Sequence, residues 1–167
     1  YAGQIITFTF PHIVDVGTNA EDTETSNLAA RSGVRGAVLR ADITSPSNYR
    51  SAESLDKWLK ARGIIAIAGL DTRALTARIR ISGMPNGVIA HAPNGNFDLA
   101  ALEAEAKAWP GLDGMDLVPD VTSGQSYTWD ETRWAWGKGY GRQEAPQFHV
   151  VAIDYGLKRN ILRCLAT

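Results

Sequence analysis

Between Ser51 and Gly83 the apolar residues change period repeatedly, and each change coincides with a cap or a glycine. Leu55, Trp58 and Leu59 recur at helical spacing behind Ser51, which can cap, and Gly63 stands at the position that ends such a helix. Ile64 to Ala68 then reads as a buried strand. Asp71 offers an N-cap for a helix over Thr72 to Ser82, with Leu75 and Ile79 sharing a face and Gly83 stopping it. This is a strand, helix, strand pattern and requires mixed α and β structure.

The flanking segments extend it. Gln4 to Phe10 puts Ile6, Phe8 and Phe10 on one face and Ile5, Thr7 and Thr9 on the other, a period-2 strand that Pro11 ends. Val34 to Arg40 predicts a second short strand after Gly33, and Gly87 to His91 a further one. An Ala- and Leu-rich helix is expected from about Asp98 to Trp109, closed by Pro110 and Gly111. Ser123 to Pro146 is rich in Gly, Trp and Tyr without sustained periodicity and reads as an irregular connector. His149 to Asp154 predicts a strand through Val150, Val151, Ala152 and Ile153, followed by a helix with Leu157, Ile161, Leu162 and Leu165 on one side. Such a strand needs a parallel partner beyond its crossover helix, so the segment reads as the start of a second domain. With Tyr1 first and Leu165-Ala166-Thr167 last, inside an apolar pattern, both ends are expected to be cut.

The 167 residues carry 17 basic and 18 acidic side chains, a net charge of -1, and 44% hydrophobic residues. That balance gives no electrostatic footprint for nucleic acid or an anionic membrane. Ile64 to Leu70, the longest apolar stretch, falls far short of the roughly 20 residues that cross a bilayer. A single cysteine forbids an internal disulfide and, with no leader-like N-terminus, fits a cytoplasmic compartment.

Few side chains invite chemistry. Cys164 lies two turns into a predicted helix, where a cysteine behaves as a small hydrophobe rather than a nucleophile. His12, His91 and His149 are far apart and lack the close spacing of a zinc site. Gly137-Lys138-Gly139-Tyr140-Gly141 neither follows a predicted strand nor opens a helix, so it reads as a flexible loop rather than a phosphate cradle. Asp113 and Asp116 flank Gly114-Met115 and suit a turn better than a carboxylate pair. Trp129, Trp134 and Trp136 either anchor a domain boundary or partner, or cover their own domain's core.

Read as strings, the residues say more. Tyr1-Ala2-Gly3-Gln4-Ile5-Ile6-Thr7-Phe8-Thr9-Phe10-Pro11-His12-Ile13 is followed by Val16-Gly17-Thr18-Asn19 and Asp71-Thr72-Arg73. Pro110-Gly111-Leu112-Asp113-Gly114-Met115-Asp116-Leu117 and Ile153-Asp154-Tyr155-Gly156-Leu157-Lys158-Arg159-Asn160-Ile161-Leu162-Arg163 complete the series. In this order, over the whole chain, they resemble the small chain of glutamine-hydrolysing carbamoyl phosphate synthase.

The resemblance implies an α+β fold: an N-terminal β/β/α domain, truncated at its start, over residues 1–129, a connector over 130–147, and over 148–167 the first strand and helix of an incomplete class I glutamine amidotransferase domain. It implies a subunit that hydrolyses glutamine and passes ammonia to a large subunit, which makes carbamoyl phosphate from bicarbonate for arginine and pyrimidine synthesis. ATP and Mg are expected on that large subunit and no cofactor in this chain. The family's chemistry uses a cysteine at an elbow, a histidine oriented by an acid, and an oxyanion hole. None of those motifs stands in this sequence, nor does a serine expected just before Tyr1 that contacts glutamine. No catalytic, cofactor-binding or metal residue is therefore assigned, and Cys164 does not match the nucleophile motif. The chain's own role is expected to be structural, docking the large subunit, with glutamine bound only by an intact small chain. Two other classes stay open: an autonomous hydrolase using Cys164 with His12 or His149, and a free-standing binding module.

Overall fold

A computed structural model describes residues 1–10, 12, 13, 15–19, 21, 22, 24 and 33–167. The expected stop at Pro11 lies outside the described residues. The chain divides into two compact units, one drawn from Tyr1–Ala20 and Gly33–Met115, the other from Glu21–Ser32 and Asp116–Thr167.

In the first unit β1 (Ile5–Thr7), β2 (Gly36–Val38) and β3 (Ile65–Ile67) form a parallel sheet in that order, with Ile5 opposite Gly36 and Gly36 opposite Ile65. Parallel neighbours need a crossover, and α1 (Leu55–Ala61) supplies the one between β2 and β3. Its N-cap is Ser54, whose side chain accepts from the Lys57 amide, three residues beyond the expected Ser51. At its end the Gly63 amide donates to the Lys60 carbonyl and the Ile64 amide to that of Leu59, at 3.1 and 3.0 Å. That pair of bonds needs a left-handed residue, and Gly63 has φ 64°. The helix buries Leu59, and Leu39, just past β2, is 1% exposed.

The central strand β2 is buried throughout. Its first residue has no room for a side chain: a Cβ on Gly36 would stand 2.7 Å from Ile89 Cγ2 and 3.2 Å from the Ile65 carbonyl oxygen. Gly36→Ala is accordingly expected to destabilise the first unit by about 1–3 kcal/mol. Much of the loss should return in Gly36→Ala/Ile89→Ala, because the closest clash is with a side chain. Urea unfolding measures both, and a stable single variant would refute the packing argument.

The second helix, α2 (Thr72–Ser82), has the expected bounds, with the Asp71 carboxylate accepting from the Arg73 and Ala74 amides. The third, α3 (Leu99–Ala108), is capped by Asp98 and buries no residue. The strand expected over Gly87 to His91 does not form; Ile89 instead lies over the sheet at Gly36.

The second unit holds a short turn of helix, α4 (Val118–Val121), an antiparallel hairpin of β4 (Glu131–Ala135) and β5 (Gly139–Arg142), and α5 (Arg159–Leu165). Where an irregular connector was expected there is thus a hairpin, and Gly137-Lys138-Gly139 is its turn and the start of β5 rather than a flexible loop. Gly137 and Gly139, at φ 73° each, allow that tight reversal. The strand expected over His149 to Asp154 is absent, and Val150, Val151 and Ile153 are 57%, 80% and 72% exposed. The helix α5 forms but turns a different face inward, burying Leu162 and Arg163 while Ile161 and Leu165 are each 52% exposed.

Candidate functional site

A dense polar arrangement in the second unit is built around Arg163, only 2% exposed on α5. Its Nε donates to Glu131 Oε1 on β4 at 2.7 Å, and one terminal nitrogen donates to Glu24 Oε1 at 3.3 Å. The guanidinium carbon lies 3.9 Å from the ring centre of Tyr140 on β5, a cation over an aromatic face. A guanidinium offers five donors in a rigid plane, a fork suited to joining carboxylates on separate segments. Glu24 does more than pair: its Oε2 accepts from the Asn160 amide and its carbonyl from the Arg159 amide, both at 3.0 Å. It thereby caps the first turn of α5, whose N-cap Lys158 makes no side-chain cap bond.

Burial pushes the Tyr140 hydroxyl above its ordinary value of 10.0, opposed by Arg163 and reinforced by Asp22, Glu24 and Glu131. The folded state therefore holds this proton more tightly than the unfolded chain. Its contribution is fully present below pH 10.0 and is lost as pH rises through the folded value. The stability of the second unit is expected to fall above that pH, and to fall less in Tyr140→Phe. Identical alkaline unfolding curves for the two would contradict this.

Arg159 stacks its guanidinium carbon 5.8 Å from the Trp129 ring centre, and the Trp129 Nε1 donates to the Glu131 carbonyl at 2.9 Å. Trp129 and Tyr140 also line a cavity of about 290 Å³ with Thr128, Asp130, Glu131, Gly141 and Arg142, across which Arg142 pairs with Asp130 at 2.8 Å. A second centre is the turn at Asp154. Its Oδ1 accepts from the Gly156 and Leu157 amides at 2.9 and 2.6 Å, and its Oδ2 from the Tyr127 hydroxyl at 2.7 Å. These groups orient backbone and helix. They offer neither a nucleophile beside a base nor a pair of donors aimed at open space.

Cys164 is exposed and makes no hydrogen bond to His149 among the described residues, and His12, His91 and His149 are all exposed. Among the described residues no group of three or more His, Cys, Asp or Glu side chains is placed to hold a metal ion. Asp116 accepts from the Val118 amide at 3.2 Å, a turn bond, while Asp113 is exposed. No described helix is long and apolar enough to cross a membrane. Sequence reading missed Arg163, Glu131 and Glu24, which are separated by up to 139 positions and share no local pattern.

Small sheets and short helices of this kind are consistent with an α+β protein, and an ion-pair cluster organises the second unit. Residues 1–89, more than half of the chain, match the family described as "Carbamoyl-phosphate synthase small chain, CPSase domain". The chain belongs to that family. It is 69% identical over 166 residues to the carbamoyl phosphate synthase small chain of Bradyrhizobium diazoefficiens, covering 99% of this chain and 42% of that protein. The small chain of Mesorhizobium japonicum is 65% identical with the same coverage, and that of Brucella anthropi 63% identical over 99% of this chain and 40% of its own length. The chain thus spans about 42% of the length of the curated relatives it matches.

Proposed function

We propose that this chain is the N-terminal portion of the small subunit of a glutamine-hydrolysing carbamoyl phosphate synthase, and that its own work is structural. In the whole complex, glutamine is hydrolysed by the intact small chain and ammonia passes to the large subunit, which forms carbamoyl phosphate for arginine and pyrimidine synthesis in the cytoplasm. Residues 1–129 are assigned to a β/β/α domain and 148–167 to the opening of a glutaminase domain, with the β4–β5 hairpin between them. ATP and Mg belong to the large subunit. The observation that carries this reading is the identity of 69% held over 99% of the chain.

Glutaminase chemistry needs a nucleophile, a base and an oxyanion hole together. The sequence contains no Gly-x-Cys-x-Gly-His elbow, and its one cysteine is Cys164 on α5. The chain alone is expected to release no ammonia from glutamine. Turnover that disappears in Cys164→Ser would restore the autonomous hydrolase. Mixed with its cognate large subunit, the chain is expected to be retained in a pull-down, and the mixture to form carbamoyl phosphate from free ammonia but not from glutamine. Synthesis from glutamine would show catalytic groups where none has been assigned, and lack of association would place the docking surface elsewhere.

A further inference from the structure

The first unit carries the string Pro-Asn-Gly twice, at Pro85-Asn86-Gly87 and at Pro93-Asn94-Gly95, and both asparagines are exposed. Asparagine before glycine is chemically labile. The glycine nitrogen, once solvent base has removed its proton, attacks the asparagine Cγ; a C–N bond forms, ammonia leaves, and a succinimide ring closes. Water then opens the ring at either carbonyl to give aspartate or its β-linked isomer. Glycine permits the closure because it has no Cβ to obstruct it and reaches the backbone angles required.

The flanking residues match, so any difference between the two sites comes from how the fold holds the reacting atoms. At Asn94 the nucleophile is occupied: the Gly95 amide donates to the Ala92 carbonyl at 3.0 Å, and the Asn94 Oδ1 accepts from the Asn96 amide at 3.1 Å. Deprotonating a bonded amide requires that turn to open first. At Asn86 the Gly87 amide makes no hydrogen bond among the described residues, and a Cβ on Gly87 would meet nothing within 4 Å, so base reaches the nitrogen. The Asn86 carboxamide itself is held by its Nδ2, which donates to the Trp109 carbonyl at 2.6 Å.

That bond is what the reaction destroys. Trp109 is the C-cap of α3, and a helix end leaves carbonyls without an internal partner. Because α3 buries no residue along its length, contacts at its end carry more of its attachment. One of them is the Trp109 ring, whose Cζ2 lies 3.7 Å from where a Cβ on Gly3 would stand. A carboxylate at position 86 has no N–H to donate and sets a negative oxygen against the Trp109 carbonyl.

We propose that Asn86-Gly87 is a self-modification site, where slow intramolecular deamidation with water as co-reactant unlatches the C-terminal end of α3. The test is peptide mapping by mass spectrometry of the full-length small chain held in mildly alkaline buffer. Asn86 is expected to convert about tenfold faster than Asn94 in the folded protein, and the two at similar rates in urea, where the turn is gone. Gly87→Ala is expected to slow conversion at Asn86 about tenfold and leave Asn94 unchanged. In Asn86→Asp the amides of Ala108 and Trp109 are expected to exchange about fivefold faster than in the wild type. Conversion at Asn94 as fast as at Asn86 in the folded chain overturns the site. Unaltered exchange in Asn86→Asp overturns the unlatching.

Discussion

Glu131→Ala is expected to lower the stability of the second unit by about 3 kcal/mol, more than removal of the arginine it pairs with. The asymmetry follows from where the charges sit. Arg163 is 2% exposed, whereas the Glu131 and Glu24 side chains are 36% and 39% exposed. Deleting Glu131 leaves a buried guanidinium with only the 3.3 Å bond to Glu24, and a buried cation short of a partner carries its full desolvation cost. Arg163→Met deletes the buried charge and leaves two carboxylates that water reaches, so about 1–2 kcal/mol is expected, including the lost contact with Tyr140. The double variant should be less destabilised than the sum of the two. Urea unfolding followed by amide protection of the hairpin reads all three. A Glu131→Ala loss no larger than that of Arg163→Met would mean that the pair is a surface contact in effect.

The same cluster explains what the sequence withheld. Helices whose caps and stops are local, such as Thr72 to Ser82 behind Asp71 and ahead of Gly83, are legible because every signal lies within a turn of the element. The inward face of α5 is not. An apolar stripe of Leu157, Ile161, Leu162 and Leu165 predicts one face, but Arg163 gains two carboxylates and an aromatic ring from three distant segments, and the helix rolls to bury it. The hairpin was hidden for a related reason. Its strands carry glycines at 139 and 141 and a register shift between Glu131 and Trp134, which erases the two-residue alternation. Gly141 is there because a Cβ would meet Thr132 Oγ1 on the facing strand at 2.7 Å. As for the site, the strings that carried the resemblance identified the family, yet Asp154 and Gly156 within them serve a turn whose bonds to Tyr127 and packing on Val121 no spacing rule reveals.

The amides of Val150 to Ile153 are expected to exchange at least a thousandfold faster than those of Ile65 to Ile67, roughly 4 kcal/mol in local opening. The two runs look alike in sequence, each short, apolar and rich in branched residues. Ile65 to Ile67 pair with Gly36 to Val38, however, while among the described residues no amide of Val150 to Ile153 donates to the backbone. A run that is apolar at successive positions suits a parallel strand covered on both faces. Here the side chains of Val150, Val151 and Ile153 stand mostly in solvent, so neither sheet nor cover secures the segment, although α5 beyond it is tied to the hairpin. The relatives are more than twice as long as the matched region, and residues 148–167 are proposed to open a glutaminase domain. In a chain extended to that length the four amides should become as protected as those of β3, since a parallel neighbour and two covering layers would then be present. Hydrogen exchange on the short and extended chains measures the change. Strong protection in the short chain would contradict the exposed geometry, and continued rapid exchange in the extended one would remove the segment from any sheet.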